Sequence, residues 1–238
     1  MDIKKQVFNN IIEHYNTMFY FEKDLITKAA EIIKDCVEHR GVVQVCGVGH
    51  AVEFANELNY RAGGIAPVHA INPDELYVKG VLCKKEYDDF YKKSKNIDII
   101  RENFILDDRD IFVLVSNTGG EPLLLEIAKQ AKKNFQKVIV VLNRNNMQIQ
   151  KESILEYCDL VLDACAEEKD FVIDVNGLPI GRYWTTVCNV LAQMITAEVY
   201  HLYSEEEKKC PVLLSANLKD ADIHNNALTD IYGKRVRG

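Results

Sequence analysis

Two short stretches carry side chains whose types and spacing could do chemistry. In Ser116-Asn117-Thr118-Gly119-Gly120-Glu121-Pro122, two hydroxyls, an amide and two glycines follow an apolar run ending at Val115 and precede a helical pattern. Hydroxyls donate to phosphate oxygens and glycines let the backbone come close. A helix start adds unpaired N–H groups and the positive end of its dipole. The stretch therefore suits a phosphate cradle built from Ser116, Asn117, Thr118 and Gly119. An ordinary helix N-cap uses the same residue types. Its place straight after a strand favours the cradle, because open parallel sheets bind ligands outside the carboxyl ends of their strands.

The second stretch, Gly47-Val48-Gly49-His50, also ends an apolar run. Gly47, Val48 and Gly49 suit a backbone contact to a substrate. His50 could bind a sugar hydroxyl or move a proton, and a solvated cap residue fits it equally. A dinucleotide fingerprint would need a third glycine at Val52 and an acid near Ala70 and Ile71; neither is there, and Asp74 comes only after Asn72-Pro73. Glu53 and Glu57, four apart on the helix that follows, share a face. They cost a few tenths of a kcal/mol, on the order of one like-charge pair, unless something positive lies between them, or they form a solvated acidic face on which Arg61 satisfies Glu57 as a plain ion pair.

These turns need elements to hold them. Val42–Cys46, Ile65–Ile71, Ile111–Val115, Val138–Leu142 and Leu160–Leu162 are short, nearly all-apolar runs separated by helical patterns, among them Glu121–Phe135 and a polar one through Lys84–Lys95. That alternation predicts an α/β fold: a five-stranded parallel sheet with helices on both faces. The helix after the first turn should run from near Ala51 to Gly63-Gly64. Phe171–Arg182, with Val-Asn-Gly-Leu at its centre, reads as an excursion or hairpin. A long helix is expected over Tyr183–Tyr203 and a short one over Asn225–Tyr232. In the first forty residues the apolar spacing predicts two helices, so the division is an N-terminal helical arm, 1–40, and one domain, 41–238. Val7, Ile11 and Phe19 have no obvious home on a sheet already covered by crossover helices, so a second subunit is expected to cover them.

Of the 238 residues, 47% are hydrophobic and 27% charged, the balance of a globular chain. Lys+Arg 29 against Asp+Glu 36 leaves a net charge of −7 and no basic footprint for nucleic acid. Seven cysteines, an odd number with no CxxC pair, read as reduced thiols rather than a metal or redox cluster. No apolar leader segment and no stretch near the ~20 apolar residues of a membrane span is present, which predicts a cytoplasmic protein.

Val45-Cys46-Gly47-Val48-Gly49-His50, Glu57-Leu58-Asn59-Tyr60-Arg61-Ala62-Gly63-Gly64-Ile65-Ala66-Pro67, Val115-Ser116-Asn117-Thr118-Gly119 and Ser215-Ala216-Asn217 together resemble the uncharacterised bacterial proteins built on a sugar isomerase (SIS) domain. The resemblance runs from about Asp2 to the C-terminus. It implies a flavodoxin-like strand order, a homodimer, and a site for a phosphorylated sugar or amino sugar at the dimer interface, with no cofactor. A more distant resemblance is to phosphoheptose isomerase, whose active-site glutamate falls on Glu57. Glu53 stands where that enzyme has a metal-ligand histidine, so no zinc site carries over. In that frame Glu57 is the base of an aldose–ketose isomerase, and His50 opens the ring or polarises the carbonyl. A non-catalytic sugar-phosphate sensor uses the same fold. Two departures stand out. The subgroup's usual Gly-Ser-Gly-His-Ser reads Gly47-Val48-Gly49-His50-Ala51, and the loop after the fourth strand has Asn143-Arg144 in place of a hydroxyl, leaving Arg144 to supply charge.

Overall fold

A computed structural model describes residues 2–148, 151–165 and 170–236. Its centre is a parallel sheet of β1 (Val43–Gly47), β2 (Val68–Ala70), β3 (Ile111–Val115), β4 (Val138–Leu142) and β5 (Leu160–Asp163), in the order β2-β1-β3-β4-β5. Every residue of β1, β3 and β4 is buried, as expected where helices cover both faces. The pleat sorts the side chains. Val43, Val45, Val113, Val115, Ile139 and Val141 face α1 (Ile3–Glu38), α2 (Val52–Leu58) and α7 (Tyr183–Glu205). Cys46, Phe112, Leu114, Val138, Val140 and Leu142 face the layer of α3 (Pro73–Val78), α4 (Lys84–Asp88), α5 (Ile97–Asn103) and α6 (Pro122–Lys133).

The predicted pair of N-terminal helices is a single 36-residue helix, α1. No Pro or Gly interrupts it. Its inward stripe runs Met18, Glu22, Ile26, Ala29, Ala30 and Ile33. The charged Glu22 makes that stripe look broken in the sequence, yet it is 5% exposed and accepts a hydrogen bond from the Asp163 N–H at 3.0 Å. Val7 and Ile11 find a home within the chain against Val172 and Tyr183, contrary to expectation, whereas Phe19 stays exposed.

Helix α2 stops at Leu58 rather than at the glycines. Tyr60 and Gly63 turn the chain with positive φ, and the Gly-Gly stretch pairs with the segment before Ser215. Gly63 and Ala66 donate to the Leu213 and Pro211 carbonyls, both at 2.7 Å. The polar segment Lys84–Lys95, expected to be helical, breaks into α4 and two 3₁₀ turns, and α5 follows it. Asn72-Pro73 opens α3, with Asn72 accepting from the Asp74 N–H. Phe171–Arg182 contains the hairpin β6 (Ile173–Val175) and β7 (Leu178–Ile180), turned at Asn176-Gly177, both at positive φ. The last helix, α8 (Ala221–Val236), is pinned by Arg235 to Asp110, a carboxylate 1% exposed that also accepts from the Val42 N–H and the Gln44 amide. Among the described residues no helix is long and apolar enough to cross a membrane. Cys36, Cys46 and Cys188 are buried free thiols, and Cys83 is exposed.

Candidate functional site

The strand order reverses between β1 and β3, the place where an open α/β sheet leaves a crevice at its carboxyl edge. Gly47 is in register with Val115, and the Val48 N–H donates to the Val115 carbonyl at 3.0 Å. The two turns singled out in the sequence therefore lie side by side.

The β3 turn is organised by its hydroxyls. Ser116, 1% exposed, accepts at Oγ from the Thr118 N–H (3.1 Å) and the Gly119 N–H (2.8 Å). Thr118 Oγ1 accepts from the Gly120 N–H at 3.3 Å. Gly119 sits at φ +63°, where a side chain would be strained. Both hydroxyls donate to the carboxylate of Glu121: Ser116 Oγ to Oε2, and Thr118 Oγ1 to Oε1 at 3.1 Å. Glu121 lies outside the site residues expected from the sequence. Its signal was an acid five residues after the serine and three after the threonine, where a hydroxyl can fold back onto it. It is also the N-cap of α6, which begins with Pro122 at its first turn.

Around the β1 turn, Gly49 has φ +59° and His50 lies exposed in a 3₁₀ turn over Gly49–Ala51. Gly47 has a local reason to be glycine: a Cβ there would stand 2.1 Å from the Ala51 carbonyl oxygen. The Gly47 carbonyl accepts from Tyr91 Oη at 2.8 Å. A cavity of about 270 Å³ opens beside this turn, lined by Gly47, Gly49, Val52, Asn72, Asp74 and Tyr91 among others. Burial pushes the Tyr91 hydroxyl well above its ordinary pKa. Burial, reinforced by the Glu121 charge, pushes the Cys46 thiol up to about 12. Cys46 is therefore no nucleophile at neutral pH.

The loop after β4 supports the β3 turn. Asn146 Nδ2 donates to Asn117 Oδ1 at 3.3 Å, and the Gln148 N–H to the Thr118 carbonyl at 3.0 Å. Arg144 lies at this edge with its Nε 3.6 Å from Asp163 Oδ2, so its charge is already balanced. Asn143 is fully buried, and its Nδ2 has no hydrogen-bond partner among the described residues.

Glu57 is placed differently. It occupies the last turn of α2, seven residues beyond His50, or roughly 10 Å along a helix. Its Oε1 accepts from Arg61 and from Gln193 on α7. Glu53 is exposed on the same helix. Within one chain the fold thus brings together Gly47, Val48, Gly49, Ser116, Asn117, Thr118 and Gly119, while the carboxylate of Glu57 is held by Arg61 and Gln193. Among the described residues no group of three or more His, Cys, Asp or Glu is placed to hold a metal ion.

Solved structures share this architecture. A phosphoheptose isomerase from Francisella tularensis superposes with TM-score 0.57 at 15% identity, over 83% of this chain and 96% of that one. The Vibrio vulnificus NanR protein complexed with ManNAc-6P gives TM-score 0.54 at 14% identity, over 96% of this chain and 69% of that one. In sequence, the UPF0309 protein of Caldanaerobacter subterraneus subsp. tengcongensis is 30% identical over 223 residues, covering 89% of this chain and 90% of that protein. The SIS domain model matches residues 6–143, which include both turns, the whole of β3 and β4 and all but the first residues of α1. More than half of the sequence falls in that match, and the chain belongs to the SIS domain family.

Proposed function

We propose that the protein binds a phosphorylated sugar or amino sugar at the carboxyl edge of β1 and β3, in a cleft completed by a second copy of the chain. One observation carries the reading: the hydroxyls of Ser116 and Thr118 converge at the start of α6, beside the glycine turn of β1. Such a cluster can seat a phosphate while the β1 turn and its cavity take the sugar. Two relatives in fold support it, one a phosphoheptose isomerase by name and one solved with ManNAc-6P.

As an aldose–ketose isomerase the site would need a base that takes a proton from carbon and a donor that polarises the carbonyl oxygen. Glu57 and His50 are our assignments for these roles. They stand seven residues apart on consecutive turns, and in this reading a second copy of the chain closes the cleft over them. A second reading, a sensor that binds without turnover, draws on the way Glu57 is held: Arg61 and Gln193 both donate to one of its oxygens, the arrangement of a structural brace. Incubation with a panel of aldose and ketose phosphates, followed by NMR, separates the two. A new ketose or aldose signal supports the isomerase; saturable binding without product across the panel rules it out and leaves the sensor.

A further inference from the structure

Resting on the cradle reading above, we propose that Glu121 is a resident anion of the β3 cradle and sets the affinity threshold a phosphate ligand must pass. A phosphate monoester then enters by exchange with the Glu121 carboxylate rather than by filling an open seat. Hydroxyl protons are the limiting quantity. A serine or threonine hydroxyl has one proton to donate. Ser116 gives it to Glu121 Oε2 and Thr118 to Oε1, while the oxygens of both hydroxyls accept from backbone N–H groups of the turn. Neither hydroxyl can therefore donate to a phosphate while the carboxylate is in place. Glu121 is also the N-cap residue of α6, at the helix end that favours negative charge, although its carboxylate bonds the two hydroxyls and not the N–H groups of the helix.

Coulomb repulsion disfavours sharing, because a phosphate hydrogen-bonded to these hydroxyls would sit within a few ångströms of a like charge. Glu121 is only half-buried, so its side chain has room to turn outward. Exchange lowers the affinity for every phosphate ligand by the same cost, so a ligand binds at low concentration only when its sugar adds enough contact in the β1 cavity to offset that cost.

The test is calorimetric titration of the intact chain with inorganic phosphate and with glucose 6-phosphate. It compares the wild type with Thr118→Ala, Glu121→Gln and Glu121→Ala, and with each Glu121 variant combined with Thr118→Ala. Gln keeps the shape and removes the charge; Ala removes the competitor, and circular dichroism verifies that each variant is folded. The expected result is affinity for both probes at least about tenfold tighter in Glu121→Gln and Glu121→Ala, with much of the gain lost when Thr118 is also changed. Unchanged or weaker affinity in both Glu121 variants, together with a loss on Thr118→Ala in the wild type, would overturn the exchange and leave the cradle standing. Binding that is absent from every variant, or indifferent to Thr118, would overturn the cradle itself and the exchange with it.

Discussion

At the scale of single residues, Glu57 divides catalysis from architecture. If its carboxylate removes a proton from carbon, Glu57→Gln keeps the bond from Gln193 but removes the base, and kcat should fall on the order of 10²-fold or more with little change in binding. If it only braces α2 against α7, the variant should lose up to about 1 kcal/mol of stability, the worth of a part-exposed pair with Arg61, and keep whatever turnover the wild type has. Melting temperature and steady-state kinetics on this one variant distinguish the roles. Ser116 also has a structural role. Its Oγ accepts two backbone N–H groups, so Ser116→Ala should cost about 1–3 kcal/mol of stability through the orphaned donors, whereas Thr118→Ala should cost less. Equal melting temperatures for Ser116→Ala and the wild type would contradict this, and Thr118→Ala is accordingly the cleaner probe of the cradle.

At the scale of elements, α1 shows what a sequence pattern conveys and what it hides. The five strands were legible because both faces of a parallel sheet are covered, so each strand stands out as a short, nearly unbroken apolar run. The two turns were legible because glycine and hydroxyl residues stand directly at the ends of those runs. The continuity of α1 was not, because Glu22 occupies a core position where the N–H of the distant Asp163 donates to it. Glu121 escaped for a related reason: its partners are hydroxyls already assigned to a ligand. Burial raises the Glu22 carboxyl above its ordinary pKa, more than the hydrogen bond from Asp163 lowers it, and the neighbouring Asp163 charge adds to the rise. The folded state then keeps the proton to higher pH than the unfolded chain does. The Glu22 contribution to stability is therefore fully present below the ordinary glutamate range and is lost as pH rises through the raised value. Glu22→Gln retains an acceptor for the Asp163 N–H and does not titrate. Urea unfolding at pH 4 and pH 7 should show the variant gaining on the wild type at the higher pH, and parallel behaviour of the two proteins would contradict it.

At the scale of the whole molecule, the proposed cleft needs a second chain, and the surface of α1 offers one way to bring it. Phe8, Ile12, Phe19, Tyr20 and Phe21 remain exposed on α1, as do Leu178 and Ile180 of the hairpin. A monomer seldom leaves so much apolar surface in water. Sedimentation velocity at micromolar concentration should give a dimer, and Phe8→Glu with Phe19→Glu should shift it to a monomer. A wild-type monomer would contradict the shared cleft. The central claim is that a phosphate monoester binds at the β3 turn. Its most direct test is amide chemical-shift mapping of the intact chain titrated with a sugar phosphate. Saturable shifts are predicted to centre on Thr118, Gly119 and Gly120 and to extend to Gly49 and His50 of the β1 turn. Shifts confined instead to the cavity between α1 and the hairpin, around Asn10, Thr17 and Asp174, would contradict it.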